Sequence, residues 1–383
     1  MKSVLIVALI GPGYSAKPLM DAFLNNGFTD VRVFDYQLHQ FSVGKETMES
    51  MLVEEAKKMK PDLVWMQIQG SDRLTFATFR TLSKIAFTVN YSFDIRSKEQ
   101  TEWLYALAPH LGLICFSNQR DVDECKSRGY KNAMCLQSSC DMDIYKPGSI
   151  RSGAVFIGNN FLNTNIEFPL SKDRAEMVSM IQENFPDQFK VYGSNWGTAK
   201  MIGQEEEVKI YQTSLIGINQ NNYDAPCYTS DRIWRLMACG VFCLTKYFEG
   251  IEDMFIRYHH LDWWETLDEL KTKLAYYLKE EHRAKDIAFN GMNHVRAHHT
   301  WSARVKEMRA FIEDYWKNAT WSLPLPGYDA CTKAGAHVVE GKIPEPFDQH
   351  LDGKICDCGK TKWVWTECGC SMKEWQLRMH ENI

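Results

Sequence analysis

What this 383-residue sequence lacks narrows its class before any motif is read. No apolar run approaches the roughly 20 residues that a membrane-spanning helix needs, so no span is expected. Neither sign of charge dominates. The 44 Lys+Arg against 49 Asp+Glu leave a formal net charge of −5, which disfavours both a disordered chain and a strongly basic polyanion binder. There is no internal repeat of short period and no low-complexity segment, so a repeat architecture is not expected. Residues 11–15 hold Gly11-x-Gly13, but the third glycine of G-x-G-x-x-G is missing, with Ala16 in its place. The best match for the acid that should end the second strand is Asp35. Hydride transfer from a dinucleotide is therefore disfavoured. A pairing pattern is also missing from eight of the twelve cysteines (Cys115, Cys125, Cys135, Cys140, Cys227, Cys239, Cys243 and Cys331), as in a reducing compartment.

What is present is 45% apolar residues in short runs. Lys2 followed by residues 4–10 has the outline of a secretory signal. The continuation argues otherwise: a turn at Gly11-Pro12-Gly13, a helix over 16–24 and a strand over 31–34 make a βαβ unit that cleavage would destroy. A cytoplasmic protein is expected, in which the sequons at Asn90 and Asn318 carry no sugar. Further apolar runs at 63–66, 87–90, 111–116 and 133–136 alternate with amphipathic stretches such as 45–58 and 101–107, the pattern of a doubly wound parallel sheet. Periodicity lapses between 138 and 153, around Pro147-Gly148. A second series then runs through 154–158, 189–193, 214–218, a helix over 233–238, a strand over 241–244 and helical patterns over 267–278 and 282–311. The fold class expected is α/β, with two doubly wound Rossmann-like domains facing a cleft (1–145 and 153–318) and an irregular tail (319–383).

Doubly wound sheets bind ligands at the carboxyl ends of their strands. In the first domain this singles out residues 11–15 and 90–96. In the second it singles out Gly158, Asn159 and Asn160, residues 193–196, the run 219–222 beginning at Asn219, and Thr229-Ser230-Asp231-Arg232. The second set is rich in glycine and uncharged hydrogen-bonding groups, which suits a ribose and a phosphate. A helix starting near Ser230 aims N–H groups at an anion, with Arg232 and Arg174 adding charge, and that chemistry fits a diphosphate. The competing reading is that Thr229 or Ser230 only caps the helix.

The ordered series of motifs then resembles a known family. It comprises Asp231-Arg-Ile-Trp-Arg-Leu-Met-Ala-Cys-Gly240, Glu249-Gly-Ile-Glu-Asp-Met-Phe255, Leu267-Asp-Glu-Leu270, Ile287-Ala288-x-x-Gly291 and His299-Thr300-x-x-x-Arg304, with Phe156-Ile-Gly158 and Asp94-x-Arg96 upstream. The chain resembles the spore-maturation glycosyltransferases of the CgeB type, among the group 1 glycosyl transferases. The resemblance implies a GT-B fold whose C-terminal domain holds a nucleotide-sugar and whose N-terminal domain presents a hydroxyl acceptor. Arg235 stands where such families carry an acid that accepts hydrogen bonds from ribose, and arginine accepts none. Related retaining enzymes carry another acid eight residues earlier, where this chain has Cys227. Either another residue holds the ribose, or the donor differs, or the fold is kept as a nucleotide-binding or interaction protein without catalysis.

Asp94, just past a strand end, is the candidate base for the acceptor hydroxyl, its alternative being a helix cap or a salt bridge with Arg96. Histidines cluster at His259, His260, His294, His298 and His299, but carboxylate partners at ligand spacing are missing and no catalytic metal is expected. Cys356, Cys358, Cys368 and Cys370 form two C-x-C pairs, which fit a structural zinc site in the tail, with two disulfides as the alternative. The acceptor is open: glycan, protein and hydroxylated DNA base all suit the plan. Residues 331–383 hold 7 Lys+Arg and 8 Asp+Glu, and so lack a basic footprint. The hints of a polyanion are the stripe 281–309, with six Lys+Arg against three acids, and the stretch around Arg73, Arg80, Lys84, Arg96 and Lys98.

Overall fold

The computed structural model describes residues 1–10, 16–95, 98–149, 151–166, 168–197, 201–318, 351–355 and 363–365. The chain divides into two compact units. One comprises Met1–Phe116, Asp121–Leu136 and Val305–Ile383, the other Ser117–Arg120 and Gln137–Arg304.

From the N-terminus the elements are β1 (Ser3–Ala8), α1 (Lys17–Asn25), β2 (Asp30–Asp35), α2 (Tyr36–Val43), α3 (Lys45–Met59), β3 (Leu63–Met66), α4 (Phe76–Ser83), β4 (Phe87–Ser92), α5 (Lys98–Leu107), β5 (Leu113–Phe116), α6 (Gln119–Ser127) and β6 (Ala133–Cys135). The strands form one parallel sheet in the order β2-β1-β3-β4-β5-β6. Strands β3 and β5 are apolar throughout and wholly buried, as expected of parallel strands covered on both faces. Helix α3 buries Met48, Leu52 and Ala56, a stripe of one residue per turn. Asp35 accepts hydrogen bonds from the backbone N–H groups of Gln37 and Leu38, at 3.1 and 3.0 Å. It is the N-cap of α2, a structural role that accounts for an acid at the end of β2.

No strand or helix occurs between β6 and residue 149. The second series is β7 (Ser152–Ile157), α7 (Ser171–Asn184), β8 (Phe189–Tyr192), α8 (Gln204–Thr213), β9 (Ser214–Asn219), α9 (Arg232–Ala238), β10 (Phe242–Lys246), α10 (Ile251–Met254), β11 (Asp262–Trp264), α11 (Leu267–Lys279), α12 (Glu281–His298) and α13 (Trp301–Asn318). Its five strands are parallel, in the order β11-β10-β9-β7-β8. Helix α9 lies close on β9: a side chain at Gly217 would bring its Cβ within 2.3 Å of Leu236. In the tail, β12 (Leu351–Ile355) and β13 (Trp363–Trp365) pair antiparallel. No helix among the described residues is long and apolar enough to cross a membrane.

Candidate functional site

In the five-stranded sheet the strand order reverses between β7 and β9, and ligands of doubly wound sheets bind outside the carboxyl ends of the strands at such a reversal. Two loops meet there, residues 158–160 after β7 and residues 220–222 after β9. Two arginines reach them, Arg174 from the first turn of α7 and Arg232 from the first residue of α9.

Arg174 is 2% exposed. Its guanidinium donates to the carbonyl oxygens of Asn159, at 3.2 Å, and Gln220, at 2.8 Å, while its Nε has no partner. Arg232 donates to the carbonyl oxygens of Ile157 and Gln220 and to Asn219 Oδ1, the last at 3.0 Å. The two guanidinium groups thus share one acceptor, the Gln220 carbonyl. Among the described residues neither has a carboxylate within ion-pair distance. Burial, and after it the charge of Arg232, push Arg174 down from its ordinary value to about 9. Both cations therefore have only neutral partners among the described residues. Beside them the amide of Gln220, 1% exposed, has neither its nitrogen nor its oxygen paired.

The other residues singled out in this unit divide into those that line the loops and those that tie them. Gly158 is required by close packing: a Cβ there would lie 2.8 Å from Arg232 Nη2 and 3.0 Å from the Phe156 ring. Gly193, at φ +125°, lets the loop after β8 approach the Gly158 carbonyl. That approach is stitched by Asn159 Oδ1 accepting from Ser194 N at 3.0 Å, and by reciprocal side-chain-to-carbonyl bonds between Asn160 and Asn195 at 3.2 and 3.0 Å. Asn219 is wholly buried, with its amide nitrogen on Thr245 Oγ1 at 2.9 Å and its oxygen taken by Arg232 and by the Ser230 hydroxyl, the latter at 3.4 Å. Neither Thr229 nor Ser230 caps α9. The N-cap position falls on Asp231, whose side chain makes no capping bond, and the Thr229 hydroxyl reaches the Ser230 carbonyl at 3.4 Å.

Arg235 differs from the other two arginines. It binds Glu207 at 3.2 Å and the Asp231 carboxylate. Burial pulls its pKa down, but Asp231 and Glu207 together hold it well above the ordinary value. Glu207 also accepts from Tyr145 Oη at 2.7 Å. Arg235 is therefore paired with two carboxylates, unlike Arg174 and Arg232. Sequence reading missed Glu207, 28 positions away on α8, and Lys246, which ends β10 and lies 3.5 Å from Asp173.

Asp94 is exposed, two residues past β4, with its carbonyl accepting from the Ser92 hydroxyl at 3.4 Å. Asn90 is wholly buried. Most cations of the 281–309 stripe are engaged locally. Arg296 holds the carbonyls of Tyr145 and Ala238, Arg304 donates to His299 Nδ1 at 2.8 Å, Arg309 binds the Asn26 carbonyl and Lys285 pairs with Glu281. Arg73 pairs with Asp72 at 3.0 Å. No cluster of three or more His, Cys, Asp or Glu side chains arranged to hold a metal occurs among the described residues. Cys356, Cys358, Cys368 and Cys370 lie outside the described residues, as do Arg96 and residues 11–15.

Residues 172–310 match the family described as Glycosyl transferase-like. No curated protein matches the chain. Similar solved structures include sucrose-phosphate synthase from Thermosynechococcus elongatus (10% identity, 83% of this chain and 100% of that one, TM-score 0.54). HepE of Anabaena, solved in complex with UDP and glucose, matches at 13% identity over 82% of this chain and 100% of its own, with a TM-score of 0.55. A glycosyltransferase from Rickettsia africae matches at 9% identity over 83% and 99%, with a TM-score of 0.53. The likeness is one of fold: α/β with two parallel sheets, as in GT-B glycosyltransferases.

Proposed function

We propose that this chain is a glycosyltransferase that draws its sugar from a nucleotide-sugar and passes it to a hydroxyl acceptor. The observation that carries the reading is the pair Arg174 and Arg232 at the β7/β9 reversal, two cations that share a backbone carbonyl and have no carboxylate partner among the described residues. A nucleoside diphosphate supplies the missing negative charge, and preorganised cations of this kind stabilise the diphosphate as it leaves. Ser230 and Asn219 line the same loops. Gly158, Asn159, Asn160 and Thr229 shape them. The family match over residues 172–310 covers both arginines, and HepE with bound UDP has this fold. The acceptor side rests on Asp94, exposed past β4, as the base that takes the hydroxyl proton. The narrower CgeB-type assignment rests on the ordered motifs. The zinc site rests on the two C-x-C pairs.

Arg235 favours a second reading, a nucleotide-binding protein that kept the fold without transfer, because it stands in place of the acid that would read a ribose and is itself held by two carboxylates. A polyanionic acceptor such as DNA gains no support from cations engaged locally.

The test is thermal unfolding of the purified protein with a panel of nucleoside diphosphates. Protection by at least one of them is expected, and Ser230→Ala combined with Arg232→Ala should abolish it. An unchanged shift in the double variant would sink the assignment of this site.

A further inference from the structure

Two cations that share one carbonyl repel each other, and their side-by-side placement calls for an offsetting contact beyond the backbone carbonyls. Phe156, the penultimate residue of β7, is wholly buried and makes no polar contact of its own. The Arg232 guanidinium carbon lies over its ring at 5.0 Å from the centroid, and that of Arg174 at 5.6 Å. The ring is fixed in turn. Trp196 packs edge-on against it at 6.2 Å and 87°, and the Trp196 indole N–H donates to the Gly158 carbonyl at 2.6 Å. The absence of a side chain at Gly158 leaves the room in which Arg232 Nη2 and the far end of the ring meet.

We propose that Phe156 is the positioning residue of the diphosphate site, its ring face holding Arg174 and Arg232 together for the incoming phosphates. The inference rests on the nucleotide-sugar reading above. The ring does not touch the donor. Its negative face supplies what no carboxylate supplies here, and unlike a carboxylate it does not cancel the charge that the phosphates need. An acid in its place would close the site with an internal ion pair, as Glu207 and Asp231 do to Arg235. An aliphatic side chain would fill the volume and leave the two cations unsupported.

Phenylalanine analogues with one, two and three ring fluorines, placed at position 156 of the full chain, test this, because they keep the shape and progressively weaken the ring face. Binding of UDP and of inorganic diphosphate should weaken stepwise, by roughly ten-fold across the series, the size of a desolvated cation–π contact. The melting temperature without ligand should fall by only a few degrees, the size of the same contact in the folded protein. In turnover, kcat/KM for the donor should fall in step with the affinity, because the same cations stabilise the leaving diphosphate. A flat affinity series overturns the proposal, as does a fall in melting temperature of more than about 10 °C, which would mark a disrupted core. Binding of inorganic diphosphate but of no nucleoside diphosphate would refute the nucleotide reading and leave the ring's role standing, whereas binding of neither refutes both.

Discussion

Arg174→Met separates a functional arginine from a structural one, because the two roles predict opposite signs for stability. The side chain is a cation 2% exposed beside a second cation. Its fall from the ordinary value to about 9, caused first by burial and then by Arg232, corresponds to roughly 5 kcal/mol against the charged form. Methionine removes that penalty and fills much of the same volume. The losses are the hydrogen bonds to the Asn159 and Gln220 carbonyls, about 1 kcal/mol each, and the contact with the Phe156 ring, about 1 kcal/mol. The Gln220 carbonyl keeps its bond from Arg232. The variant should therefore be about 1–3 kcal/mol more stable than the parent, a stability gain at a functional position. Its affinity for a nucleoside diphosphate should fall about 100-fold, as when one partner of a buried charge pair is removed. Urea unfolding followed by tryptophan fluorescence, with and without the nucleotide, measures both. A variant destabilised by more than about 2 kcal/mol that keeps its nucleotide response would show that Arg174 braces the loops and does not bind the donor.

Asp94→Asn should remove transfer while leaving nucleotide affinity within about two-fold, since a base acts on the acceptor; a variant that keeps most of its turnover makes Asp94 structural. His299 is pushed down to about 2, by burial first and then by Arg304 and His294. Arg304 donates to its Nδ1, and the ring stacks on Trp234 at 4.8 Å. The unfolded chain takes up that proton near 6.5, so the contribution of neutral His299 is whole above pH 6.5 and shrinks by about 1.4 kcal/mol per pH unit below it. His299→Phe should flatten the stability profile between pH 6.5 and 5 by that slope, and identical slopes would contradict the assignment. Metal analysis of the full chain should find about one zinc, with two of the tail cysteines replaced lowering stability but not nucleotide binding. Two disulfides in its place would overturn that site.

Most strands of both sheets were legible because buried parallel strands are rich in apolar residues: the run 63–66 is β3 to the residue, and 87–90, 189–193 and 214–218 fall within one or two residues of β4, β8 and β9. Helices were harder. Helix α8 reads Gln-Glu-Glu-Glu-Val-Lys-Ile-Tyr-Gln-Thr and buries Glu207 and Tyr211, so its inward face carries no apolar stripe. Helix α2 buries only Tyr36. Strand β11, three residues long, is too short to show a period. At the candidate site, the strand-end rule singled out the loops and charge singled out Arg174 and Arg232, which lie together in the fold. What escaped was pairing. Nothing local in the sequence says that Arg235 meets Glu207 of another helix while Arg232, three residues earlier, meets only neutral acceptors and a phenyl ring.

The central claim is a nucleoside diphosphate leaving a sugar at the β7/β9 reversal. Its most direct measurement is the release of nucleoside diphosphate when the purified protein is incubated with each of a panel of nucleotide-sugars, with water as the default acceptor. The account predicts slow release from at least one donor, reduced about 100-fold by Arg174→Met in a protein that remains folded. Release that the variant retains in full, or a parent protein that neither binds nor cleaves any donor of the panel, would contradict it.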